Sequence, residues 1–508
     1  MLQAKLTKYL PIALLLVFFL LTRLPYLGYD EINPDAVNWH NRSEQFIVGL
    51  KTHDWLRTYQ HYHPAVTLMW IMGVPIEILK HLSPADRVYN HVNFETFHIV
   101  AKVSVVSVQL ILTFIVFYLL AQIIGYNKAF FATALFTFEP FFIGNSRLLH
   151  MDILFTLFLL SALLLLYLQI DKFSYTKGIW SGLFLALAFL TKSVGISALL
   201  YALTFGAVYV YKKNSAKDAL KFILSVFIPF VIFLFLIFPA MWVKPVWVFV
   251  NIFTEGYRVG VENGHGQLVF DEYTRNASVI FYPLLLLMRT SPLLLAGLVL
   301  FLFFVKKTDN KRFLLWLSIY FIGYLVVMSL PSKKVDRYTL PMYPYLAILA
   351  TVGFFNLYAI LNQSKKIAFK LVMFCAIAVF IAYPYIQTYP YPFLYTSPLF
   401  GSSANANKII GQKSFGIGIH DLKTFIFSKY GYYPKIAFLD TKPMAAIYMN
   451  SRIFDARISS VNNYNILVLG INEELPSNVS ESKIPFIKDA SIYIYGLEYW
   501  RIYVKKAQ

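Results

Sequence analysis

Three carboxylates, Asp30, Glu31 and Asp35, stand within six residues, where an apolar N-terminal stretch gives way to a polar one. A carboxylate at such a boundary can act as a general base where a membrane-bound substrate meets a water-soluble one, or can simply cap a helix. His61 and His63 follow in Thr58-Tyr-Gln-His-Tyr-His63-Pro64. Close to carboxylates, they are structural or form part of a zinc site, but their spacing does not define one. Cations recur further on: Arg147 in Asn145-Ser146-Arg147, Lys192 in Leu190-Thr191-Lys192-Ser193, and Lys333, Lys334 and Arg337 before Tyr338. Each group falls at the mouth of a pair of apolar runs. The alternatives are contact with lipid headgroups or a shared anionic ligand, with a phosphate at the membrane surface as the obvious candidate.

The elements that must position these residues are helices in lipid. Of 508 residues, 58% are hydrophobic, 18% aromatic and 14% charged, and the mean hydropathy is +0.59. An ordinary soluble chain carries about 25% charged residues, so this one cannot cover itself with polar surface in water. The same hydrophobicity excludes disorder and fibrous repeats. The single cysteine, Cys375, excludes an intramolecular disulfide framework and any multi-cysteine metal site. The net charge of +19 sits in short clusters between apolar runs, the footprint of cytoplasmic loops rather than of nucleic-acid binding.

A membrane-crossing helix needs about 20 apolar residues. Eleven runs qualify, near 9–27, 99–124, 129–144, 149–170, 178–191, 194–211, 219–241, 279–305, 313–331, 339–361 and 367–387. Glu139-Pro140 interrupts the third. The first reads as an uncleaved anchor, because no small-residue cleavage site follows it. Lysine and arginine bias puts the N-terminus in the cytoplasm and sends 28–98, 242–278 and 388–508 outside. The expected organisation is a membrane domain over 1–387 and a small extracytoplasmic α/β domain over 388–508. There, Ile466 to Leu469 and Ala490 to Tyr495 read as strands and 401–430 as helical. Pro34 and Asp35 open an amphipathic helix that continues through Leu50.

With the topology in place, several segments resemble the GT-C superfamily of membrane glycosyltransferases, nearest to the protein O-mannosyltransferases and lipid A aminoarabinose transferases. The resemblance spans roughly 28–360. Asp35 falls where the family keeps an Asp or Asp-Glu pair; the pair reads Asp35-Ala36 here, and Asp30-Glu31 carries the dipeptide five residues upstream. Asp54-Trp55 and His63-Pro64-Ala65-Val66-Thr67 are similar to a Gly-Asp-Trp … His-Pro-Gly-Val-Thr stretch. Arg147 to Asp152 is similar to the family's second acidic position, and Leu187 to Lys192 to its Leu-Ala-x-Leu-Thr-Lys. Glu262-Asn-Gly-His265-Gly266 falls where relatives carry Gly-His, and Lys334-x-x-Arg337-Tyr338-x-x-Pro341-x-Tyr343-Pro344 resembles the start of a late span.

The resemblance implies transfer of a sugar from a polyprenyl-phosphate carrier to an extracytoplasmic protein, lipid or glycan acceptor. It implies Asp35 as base with inversion, Asp30 or Glu31 as alternatives, and Asp152 as an orienting acid. Arg147, Lys192, Lys334, Arg337 and Tyr338, with His63 and His265, would hold substrate. No cofactor is assigned, and nothing in the residues supports a divalent metal. The rival classes are a lipid-linked-sugar transporter or flippase, and a ligase or polymerase using lipid-diphosphate donors. A transporter should place ionisable groups at the bilayer midplane, whereas here, Arg289 and Glu139 apart, they gather at one end of the spans.

Overall fold

The computed structural model describes residues 2–83, 93–262, 266–361, 379–448 and 452–506. His265, Cys375 and most of the expected 367–387 run lie outside them. The helices before the expected domain boundary are α1 (Leu2–Arg23), α2 (Pro34–Lys51), α3 (Val66–Leu82), α4 (Phe94–Ile124), α5 (Tyr126–Thr137), α6 (Pro140–Arg147), α7 (Asp152–Asp171) and α8 (Tyr175–Thr191). They continue with α9 (Ser193–Lys213), α10 (Ala216–Ile237), α11 (Pro245–Tyr257), α12 (Phe281–Arg289), α13 (Pro292–Phe304), α14 (Lys311–Ser329) and α15 (Met342–Leu361). Among the described residues, α4, α7, α9, α10, α14 and α15 are long and apolar enough to cross a membrane.

Among the described residues, the remaining expected runs are shorter or broken. The 279–305 run is not one straight span: α12 and α13 meet at 115°. Ser291 caps α13, accepting from Leu294 N at 3.3 Å, and Pro292 begins it. Glu139 reaches this corner from the break between α5 and α6 and accepts the Ser291 hydroxyl at 2.8 Å. Two chain breaks therefore satisfy each other's polar groups inside the bundle.

Helix α7 lies at the centre of the bundle, almost wholly buried and packed against α8 and α4. Helices α13 and α15 approach through glycine: a Cβ added at Gly353 would collide with the Gly297 carbonyl. Small residues at a helix contact permit such backbone approach.

The C-terminal part is built on a five-stranded sheet in the order β4-β3-β5-β7-β6, after a separate short hairpin β1 (Gln267–Val269) and β2 (Glu272–Thr274). Strands β3 (Lys435–Phe438), β4 (Arg452–Asp455) and β5 (Ile466–Gly470) run parallel. Strand β7 (Leu497–Lys505) pairs antiparallel with β5, and β6 (Phe486–Ile494) closes the sheet antiparallel to β7. The expected helical stretch at 401–430 is two helices, α16 (Ser403–Ile409) and α17 (Ile419–Tyr430), split by an irregular loop. Helix α18 (Thr441–Ile447) packs against α2.

That loop docks on the membrane part. Ile32 N donates to Gly416 O at 3.3 Å, and Gly418 N to Asp30 O at 3.0 Å. Gly416 has φ +65°, and a Cβ there would collide with the Ile32 carbonyl, so both backbone conformation and close approach demand glycine.

Candidate active site

Helix α2 starts two residues earlier than a cap at Asp35 would require. Asn33 is the cap, accepting Ala36 N at 2.8 Å, with Pro34 in the first turn. The Asp35 carboxylate is thereby left for tertiary contacts. Arg337, in the turn before α15, donates Nη2 to Asp35 Oδ2 at 3.0 Å and Nε to Asp152 Oδ2 at 3.1 Å. Asp152, the first residue of α7, also takes Lys192 Nζ at 2.7 Å on Oδ1 and His150 Nδ1 at 2.6 Å on Oδ2. His150 Nε2 lies 3.4 Å from Asp35 Oδ2. Lys192 Nζ is 3.7 Å from the centre of the Tyr338 ring.

Burial separates the two acids. The Asp152 side chain is 4% exposed, whereas that of Asp35 is 40% exposed, opening into a cavity of about 680 Å³. A group that takes a proton from an incoming molecule must be reachable, and only Asp35 of the pair is. Burial pushes the Asp35 carboxyl up, but the His150 hydrogen bond and the Arg337 guanidinium outweigh it and hold the group well below the ordinary carboxylate range.

Two sequence motifs meet directly below this cluster, where Thr67 Oγ1 and Thr191 Oγ1 are 2.7 Å apart. Ala65 starts α3 at φ +45°, ψ +25°, a left-handed conformation that favours glycine. His61 and His63 both line the cavity. Burial, then neighbouring Arg42, pushes His61 down to about 3; burial, then Lys192, holds His63 well below its usual range. Both rings are neutral at pH 7. Among the described residues the buried Nδ1 of His63 has no hydrogen-bond partner. No group of three or more His, Cys, Asp or Glu among them is arranged to hold a metal ion.

Other expected site residues lie elsewhere. Asp30, Glu31 and Arg147 form a separate, almost fully buried network with Lys102 of α4. Lys102 Nζ meets Asp30 at 2.7 Å and Glu31 at 2.8 Å, and Arg147 Nε meets Asp30 at 2.8 Å. The rest of the Arg147 fork donates to the carbonyls of Thr22, Arg23 and Pro25. These contacts tie the end of α1 to α4 and α6, so Asp30, Glu31 and Arg147, expected as catalytic or substrate-binding residues, lie in a network separate from the Asp35–Arg337 cluster. Lys334, also expected to hold substrate, turns to backbone. Its ammonium donates to the Ser329 and Pro331 carbonyls at the end of α14, because unsatisfied helix-end carbonyls attract a cation. Its neighbour Lys333 lines the cavity instead.

The C-terminal part contributes residues that the sequence did not single out. Phe415 lies under Arg337, whose guanidinium carbon is 4.9 Å from the ring centre, and stacks on Phe393 at 5.4 Å and 9°. Gln412, Lys413, Ser414, Asp440 and Glu473 line the same cavity. The signal for the 410–418 loop was Gly411, Gly416 and Gly418 interrupting an otherwise helical stretch. His150, two residues before Asp152, carried none.

The family described as dolichyl-phosphate-mannose-protein mannosyltransferase matches residues 95–238. The crystal structure of ArnT from Cupriavidus metallidurans bound to undecaprenyl phosphate is similar over 97% of this chain and 97% of that one, with a TM-score of 0.52 and 14% identity. In its apo state the figures are 99%, 98%, 0.54 and 14%. The archaeal oligosaccharyltransferase AglB from Archaeoglobus fulgidus, in complex with an inhibitory peptide and a dolichol-phosphate, matches 92% of this chain and 70% of its own at 11% identity and a TM-score of 0.48. No curated protein sequence matches the chain. The fold is therefore that of the GT-C membrane glycosyltransferases: a helical membrane bundle carrying a small C-terminal sheet region.

Proposed function

We propose that the protein is a glycosyltransferase moving a sugar from a polyprenyl monophosphate to an acceptor hydroxyl or amine, at a site on the extracytoplasmic face. The observation that carries this reading is the Asp35–Arg337–Asp152–Lys192 cluster, with one reachable carboxylate, at the wall of a large cavity. Its match to the family described above over 95–238 and its likeness to ArnT with bound undecaprenyl phosphate agree with it.

In the reaction, Asp35 takes the acceptor proton as the acceptor oxygen or nitrogen bonds to the anomeric carbon. The bond from that carbon to the phosphate oxygen breaks with its electron pair, leaving polyprenyl phosphate. Attack opposite the leaving phosphate inverts the anomeric centre. Lys192 and Arg337 stabilise the charge that develops on the leaving group, and buried Asp152 holds both cations in place. Neutral His63 offers its free ring nitrogen to the sugar or phosphate.

Donor binding also changes the base. Arg337 has one outward fork, now shared with Asp35. A donor phosphate draws that fork away, so the Asp35 carboxylate regains proton affinity when there is a sugar to transfer.

The helix ends support the extracytoplasmic placement. Helix α7 leaves the site at Asp152 and ends at Asp171 beside Lys172 and Lys177, and α9 runs from beside Lys192 to Lys212 and Lys213. The lysine-rich turns thus lie at the far end, the side retained in the cytoplasm. Purified protein given a labelled polyprenyl-phosphate sugar and candidate acceptors tests the reading: label passing to an acceptor supports it, and no transfer or hydrolysis from any such donor sinks it.

A further inference from the structure

The cavity holds positive charge that the transfer chemistry does not use. Lys192 and Arg337 are each paired to Asp152, and Arg337 also to Asp35. Lys333 and Lys413 line the same cavity, and among the described residues neither ammonium has an ion-pair or hydrogen-bond partner. The acids on the C-terminal wall are engaged with backbone amides and a serine hydroxyl instead. Asp440 accepts Lys442 N at 3.4 Å at the start of α18, and Glu473 accepts Gly470 N at 2.6 Å and Ser414 Oγ at 3.3 Å.

Both lysines stand on fixed backbone. The Tyr499 hydroxyl donates to the carbonyls of Lys413 and Ser414 at 2.8 and 3.1 Å, and Gly411 N donates to Leu268 O at 2.8 Å. On the other wall, Val335 N donates to the Tyr282 hydroxyl at 3.1 Å, holding the turn that carries Lys333. Burial, then Arg337 and Lys333, lowers the Lys413 ammonium to about 8 against the opposing pull of Asp336. Burial and Arg337 likewise lower Lys333 against Asp35. Asp35 and Asp336 line the cavity too, but among the described residues neither pairs with these two ammoniums. Cations held close in a concave site repel one another, and an anion sitting among them relieves that repulsion.

We propose that Lys333 and Lys413 form a second anion subsite, beside the donor-phosphate position at Lys192 and Arg337, that takes a phosphate or carboxylate group. The subsite spans the two parts of the chain, one lysine from the membrane bundle and one from the sheet region. Two sources present this chemistry: an acidic group on the acceptor, or the second phosphate of a diphosphate donor. The inference rests on the glycosyltransferase reading for the meaning of the subsite, but not for its existence.

The test uses the full-length protein in nanodiscs and three probes: undecaprenyl phosphate, undecaprenyl diphosphate, and inorganic phosphate added over saturating undecaprenyl phosphate. The variants are Lys413→Gln, Lys333→Gln and Lys413→Arg. Undecaprenyl phosphate affinity should stay within about twofold of wild type in all three, which also reports a folded site. A tenfold or larger loss of inorganic-phosphate affinity in both Gln variants, restored in Lys413→Arg, supports the subsite with an acceptor-borne anion. The same loss seen with undecaprenyl diphosphate supports it with a donor-borne one. If neither probe responds to either lysine, the proposal is overturned. Should wild-type protein fail to bind undecaprenyl phosphate, the donor reading falls, and inorganic phosphate on the lipid-free protein and its Gln variants still decides the subsite.

Discussion

The Arg337 guanidinium donates to the Asp35 carboxylate at 3.0 Å across 302 positions of chain. The same fork reaches Asp152 at 3.1 Å, so one side chain holds the reachable carboxylate of α2 and the buried one of α7 in a single arrangement. Phe415, from a loop between α16 and α17, supports it from below. Three distant segments thus converge on one guanidinium, and that guanidinium is the group a donor phosphate would claim.

Replacing it should be felt first in donor binding. Losing a hydrogen bond to a charged group costs about 1.5–3 kcal/mol, and 1.4 kcal/mol is a factor of ten. Arg337→Ala should therefore weaken undecaprenyl phosphate binding at least about tenfold. Arg337→Lys should recover only part of it, because lysine lacks the planar fork. Lys311→Ala, at the opposite end of α14 from the site, should bind as wild type. Donor titrations on the three variants check this, and equal affinities throughout would remove Arg337 from the donor site.

The pH profile carries the competition between donor and base. In the free protein Asp35 is held below the usual carboxylate value of about 3.9. It is ionised above that depressed value and loses its charge only as pH falls through it. The profile of kcat/KM, which reports the free enzyme, should therefore show no acid limb from Asp35 above about pH 4. With donor holding Arg337, the acid limb of kcat should lie higher than that of kcat/KM. Coincident limbs above about pH 5 in both would contradict the Asp35–Arg337 pairing.

Asp30 should behave as a structural residue. Removing one partner of a buried ion pair costs about 3–5 kcal/mol, and Asp30 serves both Lys102 and Arg147. Asp30→Asn should lower the thermal midpoint sharply while the folded fraction keeps wild-type donor affinity. A variant with unchanged stability and no transfer would return Asp30 to the catalytic site.

Sidedness has its own measurement. Leu475 is exposed on the sheet region. Leu475→Cys in a Cys375→Ser background should react with a membrane-impermeant maleimide on intact cells. Labelling only after lysis would put the sheet region, and the cavity it lines, in the cytoplasm.

The long apolar runs were legible because composition alone decides that 20 consecutive apolar residues need lipid; α4, α7, α10, α14 and α15 fall where hydropathy puts them. The 115° corner between α12 and α13 was not, because it depends on Ser291 meeting Glu139 across 152 positions. Motif spacing brought Asp35, Asp152, Lys192 and Arg337 into view, and the structure brings them together. It could not separate Lys333 from Lys334, since which of two adjacent lysines turns to the helix-end carbonyls is settled by packing around Tyr282. Nor could it separate Asp30 from Asp35, whose difference is burial against Lys102 in one case and an open cavity wall in the other.

The central claim is that Asp35 takes the acceptor proton. Wild-type and Asp35→Asn protein, each shown to bind undecaprenyl phosphate, should be compared for transfer from one labelled polyprenyl-phosphate sugar. The account predicts retained donor binding and a rate lower by about 10²–10⁴, the loss expected for a general base. Near-normal turnover by Asp35→Asn would contradict it.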